Sequence, residues 1–140
     1  MLVMDTCADF ARMIEALPER NRSGTLQVWG EWFGRPMDNV HTCKSCEAGP
    51  AQIILHFDQG ERLSIWNPIQ VQTRGFTLLI AKASRVRWEW YYYGRPQSPE
   101  NLLFLDYTLK GEKVLRTSNQ PWDIPNSARA SANAVELVGM

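Results

Sequence analysis

Two stretches of the chain repeat one pattern of aromatic, acidic and basic residues. Residues 29–36 read Trp-Gly-Glu-Trp-Phe-Gly-Arg-Pro, and residues 88–96 read Trp-Glu-Trp-Tyr-Tyr-Tyr-Gly-Arg-Pro. Aromatic faces stack on planar or sugar ligands, and arginine offers a fork of donors for a carboxylate or a phosphate. Each arginine follows a glycine at the predicted end of a strand, where loops often carry function. The repeated element is therefore the first candidate for a binding site.

Alternation divides the second copy of this element into two faces. Val86, Trp88, Trp90 and Tyr92 share one face, which predicts that they belong to the core. The opposite face carries the candidate ligand contacts, together with residues of the first copy and its following loop. The full set of predicted binding residues is Trp29, Glu31, Arg35, Asp38, His41, Glu89, Tyr91, Tyr93 and Arg95.

A structural interpretation of the same element competes with the binding interpretation and is favoured over it. In that case the aromatic rings form a packed core that stacks on the arginine planes. Glu31 and Glu89, both flanked by tryptophan, resemble a glycosidase acid/base pair only superficially. A salt bridge to Arg35, Arg87 or Arg95 explains the two glutamates more simply, so the sequence assigns no catalytic residue.

A second motif, His-Thr-Cys-Lys-Ser-Cys at residues 41–46, has ligand types that zinc prefers. Tetrahedral zinc would use His41, Cys43 and Cys46 from a predicted loop, with His56 from the next strand as the fourth ligand. A single Cys-x-x-Cys pair is a weak signal, because structural zinc sites usually add a second pair at a defined spacing. Free thiols without a cofactor are the simpler expectation, and a zinc-stabilised domain is the alternative.

Composition and charge limit the classes of function. The chain has 140 residues, of which 44% are hydrophobic and 21% charged, as in one globular domain. Fifteen basic and fifteen acidic residues balance, so we expect neither a nucleic acid nor a membrane surface as partner. Three cysteines and no recognisable signal peptide predict a cytoplasmic protein.

The hydrophobic pattern predicts a mainly β (α+β) fold. One N-terminal helix over residues 1–19 precedes about seven antiparallel strands in a curved sheet or small barrel. The predicted strands cover residues 25–33, 51–58, 62–67, 76–82, 85–93, 102–109 and 113–117. Residues 1–120 form the predicted domain, and 121–140 form a tail that is partly ordered or weakly helical over 127–138.

The segments between these strands read as loops and turns. Residues 34–50 have no sustained period and predict a long loop, and residues 94–101 predict a second one. Residues 69–74 predict a turn with a short extended piece. The two loops follow the two copies of the aromatic element, so a site shared by both loops is expected at one edge of the sheet.

The two aromatic motifs also carry a resemblance. Trp-Gly-Glu-Trp-Phe-Gly-Arg-Pro with Asp38-Asn39, and Trp-Glu-Trp-Tyr-Tyr-Tyr-Gly-Arg-Pro, resemble an uncharacterised family of small bacterial proteins. The resemblance would cover residues 25–118. It implies a single domain of bacterial origin and supplies no activity, cofactor or partner.

Three functions remain open from the sequence. The first is a non-enzymatic binding module that recognises a protein partner or compact ligand through an aromatic and arginine surface. The second is a small-molecule pocket protein or a rare enzyme, in which Glu31 and Glu89 converge with Arg35 and Arg95. The third is the zinc-stabilised domain. The chain lacks a nucleophile elbow, a phosphate loop and a dinucleotide fingerprint, which favours the non-enzymatic interpretation.

Overall fold

A computed structural model describes residues 2–4, 7–28, 31–33, 39–108, 113–117, 121–123 and 135–139. Within these ranges the chain forms one α-helix, two short 3-10 turns and thirteen strands. The helix is α1 (Cys7–Ala16), and the 3-10 turns are Glu19–Asn21 and Pro99–Asn101. The strands are β1 (Leu2–Met4), β2 (Ser23–Val28), β3 (Glu31–Phe33), β4 (His41–Gly49), β5 (Gln52–Phe57), β6 (Arg62–Trp66), β7 (Ile69–Arg74), β8 (Thr77–Lys82), β9 (Arg85–Tyr91), β10 (Leu102–Thr108), β11 (Lys113–Thr117), β12 (Pro121–Asp123) and β13 (Val135–Gly139).

The strands form one antiparallel sheet, which confirms the mainly β prediction with its N-terminal helix. The order of neighbours is β1-β7-β8-β13-β2-β4-β5-β6-β9-β10-β11-β12, and β3 pairs with β2 beside this path. Among the described strands the path is open, with β1 and β12 at its ends. There are more strands than the predicted seven because several short or polar segments form strands although they lack a clear alternation.

Two features bend the sheet around a single core. Strand β4 changes partner along its length: His41 and Thr42 pair with β2, and the residues from Cys43 onward pair with β5 after a bulge between Cys43 and Ser45. Where β6 runs into β7 and β8 into β9, Asn67 adopts a left-handed conformation (φ 51°), and its side chain donates to Ser84 Oγ (2.8 Å). Bulges and bends of this kind let one sheet curve over its own inner face.

The core is filled from both halves of this curved sheet and from the helix. Leu26, Leu78 and Leu137 come from one half, and Leu55 and Leu63 come from the other; all five are fully buried. Helix α1 adds Cys7, Phe10, Ala11 and Ile14 to the core, and Leu17, which lies beyond the end of the helix, is partly buried against it. No helix in the described part of the chain is long and apolar enough to cross a membrane.

The N-terminal prediction was too long. A single helix was expected over residues 1–19, but residues 2–4 form β1, which pairs with β7 in the register Leu2↔Thr73 to Met4↔Val71. Residues 69–74, expected as a turn with a short extended piece, therefore form a full strand that pairs on both sides, with β1 and with β8. Long-range pairing decided both segments, and neither has a local signal strong enough to reveal it.

The predicted loop over residues 34–50 was wrong in its second half, which forms β4. Its inward residues are His41, Cys43 and Cys46, and the spacing of three between the cysteines conflicts with a period of two. The bulge between Cys43 and Ser45 resolves the conflict, because the extra residue returns Cys46 to the inner face. Similarly, residues 25–33 are not one strand: β2 ends at Val28 and β3 folds back on it as a hairpin.

The C-terminal prediction also needs correction. Residues 135–139, expected as part of a weak helix, form β13 between β2 and β8. Val135 and Leu137 are buried, and Val138 on the other face is exposed. The segment Val-Glu-Leu-Val-Gly alternates over too few residues to predict a strand alone, but a central position in the sheet supplies hydrogen bonds on both sides.

The stability of the fold should depend on β13. Leu137→Ala removes a fully buried side chain from a central strand, so the free energy of unfolding should fall by about 2–5 kcal/mol. Val138→Ala, on the exposed face of the same strand, is the matched control and should change it by less than about 1 kcal/mol. Urea denaturation followed by circular dichroism measures both; equal effects would show that β13 is not packed in the core.

Candidate functional site

The first copy of the aromatic element lies largely outside the described residues. Trp29, Arg35 and Asp38 are among the residues that the structure does not describe, and of Glu31 it describes only the backbone, in β3. Strand β3 pairs with β2, whereas Glu89 lies on β9, between β6 and β10. The predicted meeting of Glu31 with Glu89 therefore involves strands that are not neighbours in the sheet.

The second copy of the element forms β9 and the turn after it. Val86 and Trp88 are buried in the core, as predicted, while Trp90 packs partly against it and Tyr92 is half-exposed. Glu89 lies on the outer face, where exposure was expected, but it is buried. Arg62, its register partner on β6, covers it and donates from Nε (2.8 Å) and Nη2 (3.0 Å) to the two carboxylate oxygens.

Glu89 is thus the acidic half of a forked ion pair, not a poised acid or base. The hydrogen bonds and charge of Glu89 raise the pKa of Arg62 above its usual value. A salt bridge was expected at Glu89, and the structure shows one with Arg62, which was not among the arginines proposed from the sequence. Arg95 is exposed, with its guanidinium 5.7 Å from the centre of the Tyr92 ring.

The turn after β9 brings Tyr93 to a buried polar group that the sequence did not single out. Glu61, in the turn between β5 and β6, is buried, and the Tyr93 hydroxyl lies 3.4 Å from its Oε2. His41 Nδ1 faces the same oxygen at 3.4 Å. Sequence reasoning missed Glu61 because it follows Gly60 in a tight turn, where a charged residue normally faces solvent.

His41 is fully buried among these groups. Its Nε2 lies 3.0 Å from Asn39 Oδ1, and the Asn39 amide nitrogen donates to the Leu26 carbonyl, which fixes the orientation of the amide. The ring packs edge-on against Phe57 and Trp88, at 5.5 and 5.1 Å between centres. An oxygen thus lies near each ring nitrogen, that of Asn39 at Nε2 and that of Glu61 at Nδ1.

We call Asn39, His41, Glu61 and Tyr93 the His41 cluster. It brings Asn39 and His41, which were expected in the first loop, near Tyr93, which precedes the second predicted loop. His41 and Glu61 are both shielded from solvent. Removing one member of a buried polar pair is costly, because the other member stays buried.

The predicted zinc ligands do not assemble. Cys43 and Cys46 lie in β4 with their thiols in the core, and His41 belongs to the His41 cluster. His56 lies on the outer face of β5 and contacts Glu47 Oε2 at 2.7 Å. Within the described ranges no group of three or more histidine, cysteine or acidic residues could hold a metal ion. The zinc prediction was wrong because it assumed a loop where a strand separates the ligands onto two faces.

The outer face of the sheet holds a second constellation, which we call the arginine face: Trp66, Arg85, Arg87, Phe104 and Asp106. Arg85 and Arg87, on β9, both donate to Asp106 on β10, with contacts between 2.8 and 3.3 Å. The Arg85 guanidinium lies 4.6 Å over the Trp66 ring, and that of Arg87 lies 4.4 Å over Phe104. Burial alone would raise the pKa of Asp106, but these hydrogen bonds hold that pKa below its usual value.

The sequence had indicated that arginines would stack on aromatic rings. In the structure such stacking occurs, but between residues that the sequence had not paired: Arg85 with Trp66 and Arg87 with Phe104. Trp66, Phe104 and Asp106 were not singled out because they lie on separate strands. Only the cross-strand registers Trp66↔Arg85 and Arg87↔Asp106 reveal them.

No family model, curated protein or solved structure matches this chain. The function must therefore be argued from the two constellations themselves.

The His41–Glu61 pair should be strongly coupled in stability. His41→Ala and Glu61→Ala should each lower the free energy of unfolding by about 1–3 kcal/mol, because each removes a polar neighbour from a group that stays buried. The free energy of unfolding lost in the double variant should be smaller than the sum of the two single losses, by about 1–3 kcal/mol. Urea denaturation of the four proteins gives the coupling energy. The exposed pair His56 and Glu47 is the control, with a coupling below about 1 kcal/mol; additivity at His41 and Glu61 would contradict the pairing.

The three thiols should be inert in the folded protein. Burial raises the pKa of Cys43 to about 11 and that of Cys46 to about 12, and it raises that of Cys7 as well. Near neutral pH, Cys43 should react with iodoacetamide at least about a hundredfold more slowly than in urea, because less thiolate is present. Mass spectrometry of the alkylated chain gives the rates; rapid labelling of Cys43 or Cys46 in the native protein would contradict their burial.

The same pKa values set a pH dependence. Because the folded pKa values lie above the ordinary value of 9.0, the stabilisation from these thiols is fully present below pH 9.0. It should be lost as the pH rises, by about 1.4 kcal/mol per pH unit for each thiol, until the pH passes the folded pKa. In the Cys43→Ser variant the free energy of unfolding should fall less steeply as the pH rises, by the contribution of one thiol. Urea denaturation at increasing pH measures this difference.

Proposed function

We propose that this protein is a non-enzymatic binding module that recognises an acidic patch on a protein partner through the arginine face. Arginine and large aromatic residues are the types that contribute most to protein–protein binding. The arginine face combines these types on adjacent strands of a rigid sheet. The observation that carries the proposal is the layered exposure of its charges.

The charges of the arginine face are layered. The side chains of Arg85 and Arg87 are 42% and 28% exposed, whereas that of Asp106 is 17% exposed. The carboxylate therefore lies beneath the two guanidiniums and not beside them. The net charge of the three groups is +1, and the surface that a partner meets is the cationic side. A partner that presents carboxylates would complement it.

The guanidiniums are also held in place before binding. Each has an aromatic ring on one side and Asp106 as acceptor, which limits its rotamers. A long side chain normally loses conformational freedom when a complex forms, at a cost of about 0.5–1.5 kcal/mol. Fixing Arg85 and Arg87 in the free protein reduces that cost, so the network favours recognition more than it favours stability.

A capture experiment tests this proposal. The wild-type protein, immobilised and exposed to a native lysate of its source cells, should retain a partner that elutes as salt rises. The variant Arg85→Gln/Arg87→Gln/Asp106→Asn removes both cations together with the carboxylate they neutralise, so it avoids an unpaired charge. It should fold normally and retain at least about tenfold less of that partner, as quantified by mass spectrometry.

Two control variants sharpen the result. Arg74→Gln removes an exposed arginine from β7, outside the arginine face, and should retain the partner like the wild type. Asp106→Asn keeps both cations but releases them, so it should weaken retention less than the triple variant does. Equal retention by the wild type, Arg74→Gln and the triple variant would reject the arginine face as the binding surface.

A further inference from the structure

We propose that a cleft beside the turn between β5 and β6 binds a small oxyanion, either a carboxylate or a phosphate group. The cleft, which we call the Arg62 cleft, is separate from Arg85, Arg87 and Asp106, and the proposal does not depend on the protein partner. Its lining is His56, Gly60, Arg62, Glu89, Tyr91 and Leu102.

The cleft is built by register across three neighbouring strands. His56 on β5 lies opposite Arg62 on β6, and Arg62 lies opposite Glu89 on β9. Its volume is about 190 Å³. Since a water molecule takes about 30 Å³ of the liquid, this space corresponds to roughly six waters. A carboxylate or phosphate fits with part of its hydration shell.

Donors that the fold has not used surround this space. Arg62 donates to Glu89 from Nε and Nη2, which leaves the protons of Nη1. Tyr91 lines the cleft together with Arg62, and among the described residues its hydroxyl has no hydrogen-bond partner. A ligand with several acceptor oxygens would satisfy these two donor groups together.

The acidic groups near the cleft do not favour a cation instead. Both carboxylate oxygens of Glu89 accept from Arg62, and Glu47 is occupied by His56. The Arg62 side chain is 44% exposed, whereas that of Glu89 is 7% exposed. Of the two charged groups of this pair, which both line the cleft, Arg62 is therefore the more accessible; Glu47, which pairs with His56 and is 64% exposed, lies outside the lining.

The turn beside the cleft is held in place by packing. Gly60 has φ +78°, and a Cβ there would lie 2.9 Å from Gln97 Oε1 and 3.1 Å from Tyr91 Cε2. Gln97 also donates to the Gln59 carbonyl at 3.0 Å. Glycine is thus required both for the left-handed backbone and for the close approach of Tyr91. This packing keeps the Tyr91 ring against the turn that borders the cleft.

Titration followed by NMR of the backbone amides tests the site. Phosphate and acetate are added separately to the full chain, with chloride at matched ionic strength as the reference. Saturable shifts at Gly60, Arg62 and Tyr91 with phosphate, with acetate or with both support the site, and the pattern tells which oxyanion it prefers. Shifts that do not exceed those with chloride overturn it.

Variants assign the binding to the cleft. Tyr91→Phe removes one donor without unpairing a buried charge and should weaken the affinity for the oxyanion about three- to tenfold. Tyr92→Phe, the same change on the adjacent residue outside the cleft lining, should leave the affinity unchanged. The Arg85→Gln/Arg87→Gln/Asp106→Asn protein should also bind the oxyanion like the wild type. Equal affinities of the Tyr91→Phe and Tyr92→Phe proteins would overturn the assignment.

Discussion

The register between β6 and β9 determines the geometry of both proposed binding surfaces, the arginine face and the Arg62 cleft. It places Leu63 opposite Trp88 and Ile65 opposite Val86 on the inner face. On the outer face the same register places Arg62 opposite Glu89 and Trp66 opposite Arg85. A slip by one residue would turn the apolar set to solvent and the charged set into the core. The burial of the core thereby fixes the geometry of the arginine face and of the Arg62 cleft.

The His41 cluster places a different constraint on the fold. His41 is the first residue of β4, and its ring is buried where β4 pairs with β2. The interior therefore has to supply polar partners for this ring. Asn39, just before β4, and Glu61, in the turn between β5 and β6, supply these polar groups. The cluster therefore ties the start of β4 to the turn between β5 and β6 and to Tyr93, the residues that close this end of the sheet.

Much of the fold was predictable where a local pattern and a turn agreed. The hairpin of β5 and β6 follows from the alternation of Ile53, Leu55 and Phe57 and from Gly60, and the inner face of β9 follows from Val86 and Trp88. Prediction failed where pairing, not pattern, made the strand, as in β4 and β13. In β4 a bulge hides the alternation of the cysteines, and in β13 five residues gain their stability from neighbours on both sides.

The candidate sites divide in the same way. By itself the sequence determined that β9 has an apolar face and a polar face, and that arginine and aromatic residues would be concentrated around it. Only the tertiary structure decided the partners: Glu89 with Arg62, His41 with Glu61, and Arg85 and Arg87 with Asp106. The physical reason is that alternation assigns a residue to a face, whereas the neighbour it meets depends on the register of another strand, set by the packing of the whole core.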